Sequence, residues 1–192
     1  MKKDIIINKD NRLNSDFVPS NLVLYENIYA NHIDKEHQIY VDKETLYYFH
    51  IMSKDAYTLG YNIVIDSAYR SYDYQNVILN NFIEKIGNLA YSRVALPGTS
   101  EHQTGLAIDI SIIREGKYVT ELSNKIEEMN WLFNNAHKYG FILRYPQDKE
   151  DITGYKYEPW HFRYVGIKIA TLIYTNNITL EEYCKQIELL PI

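Results

Sequence analysis

Two short motifs about fifty residues apart carry the chemistry legible in this chain. The first is Ser100-Glu101-His102-Gln103-Thr104-Gly105-Leu106-Ala107-Ile108-Asp109, and the second is Glu158-Pro159-Trp160-His161. His102, Asp109 and His161 offer two imidazoles and a carboxylate. That donor set suits a tetrahedral zinc ion with one position left for water. Glu158 is a spare carboxylate three residues before the second imidazole. Zinc lowers the pKa of a bound water from about 15.7 to about 7. A carboxylate beside it can take the proton as attack begins and pass it to a leaving amine.

The elements that must position these groups follow from pattern. His102 and Asp109 are seven apart, so on one helix their ligating atoms would lie two turns away from each other. Gly105 between them points instead to a turn leading into a strand. Pro159 disfavours helix, so an extended segment is expected at Glu158. Helical spacing runs from Lys43 to Leu59, with Gly60 as a stop. Asn62 to Ala68 reads as a strand. Ser71 caps a helix running to about Ile86, closed by Gly87. Leu106 to Ile113 is a second strand, Ser123 to Tyr139 a helix ended by Gly140, and Phe141 to Tyr145 a third strand. Pro146 to Tyr157 reads as a polar loop and Trp160 to Val165 as a fourth strand. A last helix starts at Thr179, with Glu182 completing a capping box. Residues 1–40 read as an N-terminal wrapping arm of a single domain whose body is 41–192. The expected class is α+β: a small antiparallel sheet flanked by helices, with both motifs at strand edges.

Composition narrows the functions. The chain has 192 residues, 46% apolar and 23% charged, which fits one ordinary globular domain. A net charge of −5 and the lack of a Lys/Arg cluster argue against nucleic acid or an anionic membrane as partner. The single cysteine, Cys184, excludes an intramolecular disulfide and a thiolate-rich metal site, and reads as a partly buried structural thiol. The apolar run Ile5-Ile6-Ile7 is too short for a signal peptide or a membrane span, which leads to an expected cytoplasmic location. His32, His37, His50 and His137 lie outside the motifs and read as core or surface residues.

Ser-x-His-x-x-Gly-x-x-x-Asp followed by Glu-x-Trp-His resembles the zinc D-Ala-D-Ala peptidases of the VanX/VanY group, which share a hedgehog-like fold. Ala95-Leu96-Pro97-Gly98, Tyr139-Gly140-Phe141-Ile142-Leu143-Arg144-Tyr145-Pro146, Ile152-Thr153-Gly154 and Phe162-Arg163-Tyr164-Val165-Gly166 extend the resemblance to the VanXY type. It is strong from about Asp66 to Gly166. The resemblance implies zinc as cofactor, with His102, Asp109 and His161 as ligands and Glu158 as catalytic base. Ser67-Ala68-Tyr69-Arg70-Ser71 with Gln75 is similar to a further family element. It implies that Arg70 faces the scissile carbonyl, where a guanidinium stabilises the tetrahedral intermediate. Ser100 and Gln75 become candidates for the substrate's terminal carboxylate; their alternatives are a turn-capping hydroxyl and a solvated helix residue. Tyr69, Trp160 and Tyr164 line or support the cleft, with a core anchor as the alternative for Trp160. Glu101 is read as a surface or supporting residue without a catalytic role.

The implied substrates are D-Ala-D-Ala itself and peptidoglycan-precursor pentapeptides, in a setting of vancomycin resistance. Two alternatives stand beside this. One is an L,D-carboxypeptidase trimming tetrapeptides. The other is a non-enzymatic zinc-binding module, against which an intact Glu158 and Arg70 argue. Arg114 to Asn124 is the candidate loop over the cleft.

Overall fold

The computed structural model describes residues 2–26, 38–119, 121–123 and 125–189. His32 and His37 lie outside them, as do part of the expected arm and the end of the expected cleft loop.

A hairpin of β1 (Leu22–Tyr25) and β2 (Ile39–Asp42) leads directly into α1 (Lys43–Thr58). Asp42 caps that helix by accepting from the backbone N–H groups of Glu44 and Thr45. Thr45, Phe49, Met52 and Ala56 recur at helical spacing and are buried. Next come β3 (Asn62–Ser67) and α2 (Tyr72–Ile86), the latter capped by Ser71, whose hydroxyl accepts from Tyr74 N–H at 3.1 Å. A 3-10 segment, Gly87–Ser92, follows, and a second, Glu101–Thr104, precedes β4 (Ala107–Arg114).

β4 is the centre of the antiparallel sheet, which has the order β3-β4-β7-β6. Here β6 is Phe141–Leu143 and β7 is His161–Tyr164; β5 (Lys117–Tyr118) pairs with the far end of β4. Strand alternation divides the faces. Ile63, Ile65, Ile108, Ile110, Ile112, Phe162 and Tyr164 join Phe49, Met52, Met129 and Leu132 in the main core. Asp109, His161 and Arg163 alternate with these core residues and so occupy the opposite face.

Several expected boundaries move. The helix expected from Ser123 is α3 (Glu127–Asn135), finishing as a 3-10 turn over Ala136–Tyr139 before Gly140. Its acidic first turn, Glu127 and Glu128, suits a helix N-terminus. The expected polar loop contains a one-turn α4 (Glu150–Thr153). An unread helix, α5 (Ile167–Asn176), lies between β7 and α6 (Leu180–Glu188). The latter has the expected capping box of Thr179 and Glu182. Residues 114–118 of the expected cleft loop form the β4–β5 hairpin. Arg114 there is five residues along β4 from Asp109, roughly 17 Å at strand rise. That portion therefore lies at the other end of the strand from the motifs. Cys184 is partly buried and its thiol meets the Asp4 carbonyl at 3.3 Å.

Candidate active site

The sheet register brings two of the three candidate ligands together. Asp109 and His161 are directly paired across β4 and β7, on the face opposite the apolar core. Facing residues of an antiparallel pair hold their Cβ atoms within about 5.5 Å. His161 Nδ1 lies 3.2 Å from Asp109 Oδ1. His102 comes from the 3-10 turn just before β4, and its Nε2 lies 3.3 Å from Asp109 Oδ2. The two imidazoles stand at 90° with centroids 4.9 Å apart. The three ligating atoms all fall within 4.8 Å of one another.

The turn holding His102 is closed by Gly105 at φ +70. A Cβ there would come within 2.9 Å of Leu22 Cδ2, and the left-handed backbone would strain any L side chain. The expected turn into a strand is thus what the structure has. His102 Nδ1 lies 2.6 Å from the Ala68 carbonyl, and the Arg70 N–H donates to the His102 carbonyl at 3.1 Å. These contacts fasten the Arg70 segment to the first motif.

The second motif differs from the expected extended run. Pro159 and Trp160 form a turn, closed by the His161 N–H donating to the Glu158 carbonyl at 3.2 Å. Proline's fixed φ suits the second position of such a turn. The turn folds Glu158 back beside the cluster, with Oε2 3.6 Å from His161 Nδ1. The Glu158 side chain is 29% exposed, whereas those of both histidines are 5% exposed. Glu158 is therefore the cluster's outward edge.

Electrostatics separate the carboxylates. Burial raises the Glu158 carboxyl, with the Asp109 charge adding to it and His161 opposing. For Asp109 burial acts upward too, but His102 and His161 outweigh it and hold the carboxyl well below its usual range. Burial lowers His102, in keeping with a neutral ligand. For His161 burial opposes the charged form, yet Asp109 and Glu101 prevail and hold the ring up to about 9.

Arg70 stands at the rim with NH2 3.9 Å from Asp109 Oδ2. Its NH1 donates to Gln75 Oε1 at 2.9 Å and its NH2 to Ser67 Oγ at 3.2 Å. Gln75 is buried, and its amide donates to the Ala95 carbonyl at 2.8 Å. It is not a solvated helix residue, and both ends of its side chain are held by the protein. Ser100 is buried at the head of the His102 turn and makes no side-chain cap. Tyr69 is half-buried beside Arg70, and Trp160 is 39% exposed, which excludes a core anchor. Tyr164 points into the core, donating to Glu44 at 2.9 Å and stacking on Tyr48. His137 stacks on Tyr174 at 3.8 Å, away from the motifs.

Glu101 is not a surface residue. It is fully buried, with Oε1 2.8 Å from both Arg144 Nε and Arg163 NH1. Arg144 also bridges to Glu181 of α6, and Arg163 NH2 donates to the carbonyls of Lys3 and Ile5. Neither arginine was singled out from sequence as a site residue. The signal was there: a charge directly after one short apolar strand and another inside the next implies a buried partner.

Residues 38–167 match the family model described as VanY, D-alanyl-D-alanine carboxypeptidase. The chain is 43% identical over 184 residues to a putative carboxypeptidase, YodJ, of Bacillus subtilis, covering 95% of this chain and 67% of that protein. A D-alanyl-D-alanine carboxypeptidase of Enterococcus faecium is 41% identical over 147 residues; the chain spans 44% of its length. The bifunctional D-Ala-D-Ala dipeptidase and carboxypeptidase VanXYC of Enterococcus gallinarum is 35% identical over 182 residues, covering 93% and 91%. Among solved structures, the LdcB LD-carboxypeptidase superposes with a TM-score of 0.81 at 42% identity, covering 94% of this chain and 84% of that one. A mutant of the vancomycin-resistance D,D-pentapeptidase VanY in complex with Zn(II) gives 0.77 at 31%, covering 95% and 98%. VanYB holding D-alanine-D-alanine gives 0.76 at 32%, covering 95% and 97%. With this sheet, this cluster and these matches, the chain belongs to the VanY D-alanyl-D-alanine carboxypeptidase family.

Proposed function

We infer that this protein is a zinc-dependent exopeptidase that removes a C-terminal D-alanine from peptidoglycan peptides, with a D-Ala-D-Ala terminus as first substrate. The observation that carries this is the convergence of His102, Asp109 and His161 with Glu158 beside them and Arg70 fastened to the same turn. The donor set fits zinc: two nitrogens and a carboxylate within reach, and a buried Asp109 Oδ1 without a hydrogen-bond partner among the described residues. When bound there, zinc would polarise the scissile carbonyl and acidify a water.

The chain's own residues do the rest. Glu158 takes the proton of the attacking water and returns it to the leaving amine. Arg70, aimed by Gln75 and Ser67, stabilises the oxygen that gains charge. The Ser100 hydroxyl, free of capping duty, is the candidate donor to the terminal carboxylate. Tyr69 and Trp160 flank the entrance. In this reading Gln75 acts on Arg70 and not on the substrate.

The L,D-carboxypeptidase reading is favoured by the LdcB likeness and shares every catalytic residue. D-Ala release is to be measured on D-Ala-D-Ala, a pentapeptide ending in D-Ala-D-Ala, and a tetrapeptide ending in a single D-Ala, each with a chelator control. Chelator-sensitive release from either D-Ala-D-Ala substrate supports the first reading. Release from the tetrapeptide alone assigns the second, and no release from any overturns both. Release from D-Ala-D-Ala termini would also support the role in glycopeptide resistance, which loss of those termini would produce. No described helix is long and apolar enough to cross a membrane. The cytoplasmic location stays part of this proposal, and cell fractionation tests it.

A further inference from the structure

We propose that Glu101 is a positioning residue for the metal site: its carboxylate receives the Nε2–H of His161 and so presents the Nδ1 lone pair of that ring to the ion. This rests on the zinc reading of the His102, Asp109 and His161 cluster.

Glu101 divides its two oxygens. Oε1 serves Arg144 and Arg163, at 2.8 Å each. Oε2 and His161 Nε2 are both buried, and neither has a hydrogen-bond partner among the described residues. They face each other at 3.6 Å, a few tenths of an ångström beyond a hydrogen bond. Both atoms gain a partner if the ring carries its proton on Nε2. A neutral imidazole protonated there is an acceptor at Nδ1. That is the nitrogen turned to Asp109 at 3.2 Å and Glu158 at 3.6 Å.

His102 uses the same device in mirror image. Its Nδ1 is engaged by the Ala68 carbonyl at 2.6 Å, which leaves Nε2 for the cluster. The two ligands therefore offer opposite nitrogens, and each has its own outer partner. Such partners fix ring orientation and raise ligand basicity. Oε1 lies against two guanidiniums, which leaves Oε2 as the acceptor that faces His161. A glutamine in its place would give its oxygen to the arginines and turn its NH2 toward His161. That donor opposes an Nε2–H and favours the tautomer that closes Nδ1 to metal.

The test is zinc affinity by competition with a chromophoric chelator, for the wild-type protein and Glu101→Gln. Thermal unfolding of both zinc-free forms runs alongside. The ring nitrogen shifts of His161 are recorded in zinc-loaded wild type, which needs no variant. The expected result is a proton on Nε2 with the metal on Nδ1, and zinc held about 10- to 100-fold more weakly by Glu101→Gln. A folded Glu101→Gln with wild-type affinity, or a His161 proton on Nδ1, overturns the proposal. If the variant does not fold, the wild-type ring shifts alone decide. A wild type that binds no zinc sinks the zinc reading together with this inference; zinc binding with the wrong tautomer sinks this inference only.

Discussion

Burial sets the working range of Glu158. Its carboxyl holds a proton to higher pH than an ordinary glutamate, near 4.3. The proposed base must be ionised, so kcat/KM of the zinc-loaded enzyme is expected to fall on the acid side. An acid limb that persists unchanged in Glu158→Gln would contradict the assignment. Glu158→Gln is expected to keep zinc and lose at least ~100-fold in kcat. Gln75 gives a sharper contrast. Because its carbonyl serves Arg70 and its amide serves Ala95, Gln75→Ala should lower kcat about 10-fold or more with little change in KM. A raised KM with unchanged kcat would return it to the substrate's carboxylate. At this scale the sequence marked the groups that converge in the His102, Asp109 and His161 cluster, because such residue types in tight motifs are distinctive. It did not mark Glu101, Arg144 and Arg163 as a unit, because their meeting needs β6, β7 and the His102 turn to be assembled first.

The His102 turn is the element on which the ligand set hinges. Gly105→Ala puts a side chain on a left-handed backbone and against Leu22, at a cost of about 1–3 kcal/mol. Urea unfolding should show that loss, and zinc affinity should fall with it because His102 moves. Thr179→Ala, which removes the α6 capping box, should cost about 1 kcal/mol by the same measurement and leave zinc affinity unchanged. Elements with clear punctuation were legible: α1 before Gly60, α2 between Ser71 and Gly87, and α6 after Thr179. α5 was not. Ile167, Ile169, Thr171, Ile173 and Thr175 are β-branched and weaken the helical signal. What holds it helical is packing, with Ala170 and Ile173 buried in a second apolar cluster beside Ile142, Val165 and Leu180. The turn at Pro159–Trp160 was missed for a related reason. Proline excludes helix but does not choose between an extended strand and a turn.

Across the whole molecule, a buried ionic network joins distant parts of the chain. Glu101 beside His102 holds Arg144 and Arg163; Arg144 reaches Glu181 on α6, and Arg163 reaches the carbonyls of Lys3 and Ile5. Burial pushes the Glu101 carboxyl up, but the two arginines outweigh it and hold it well below the usual range. A depressed carboxyl contributes stability that is complete above its unfolded pKa, about 4.3, and is lost as pH falls below it. Urea midpoints of the zinc-free protein should therefore drop as pH falls below about 4. Glu101→Gln should flatten that drop. The pairing of Asp109 with His161 has a consequence for folding itself. A slip of β7 by one residue against β4 would turn Phe162 toward Asp109 and bury His161 in the core. Only the native register gathers the ligands, so an ion that needs all three recognises only correctly paired chains. At a free concentration 100 times its Kd it would favour them by about 2.7 kcal/mol. The proposed zinc would then double as a proofreader of strand alignment.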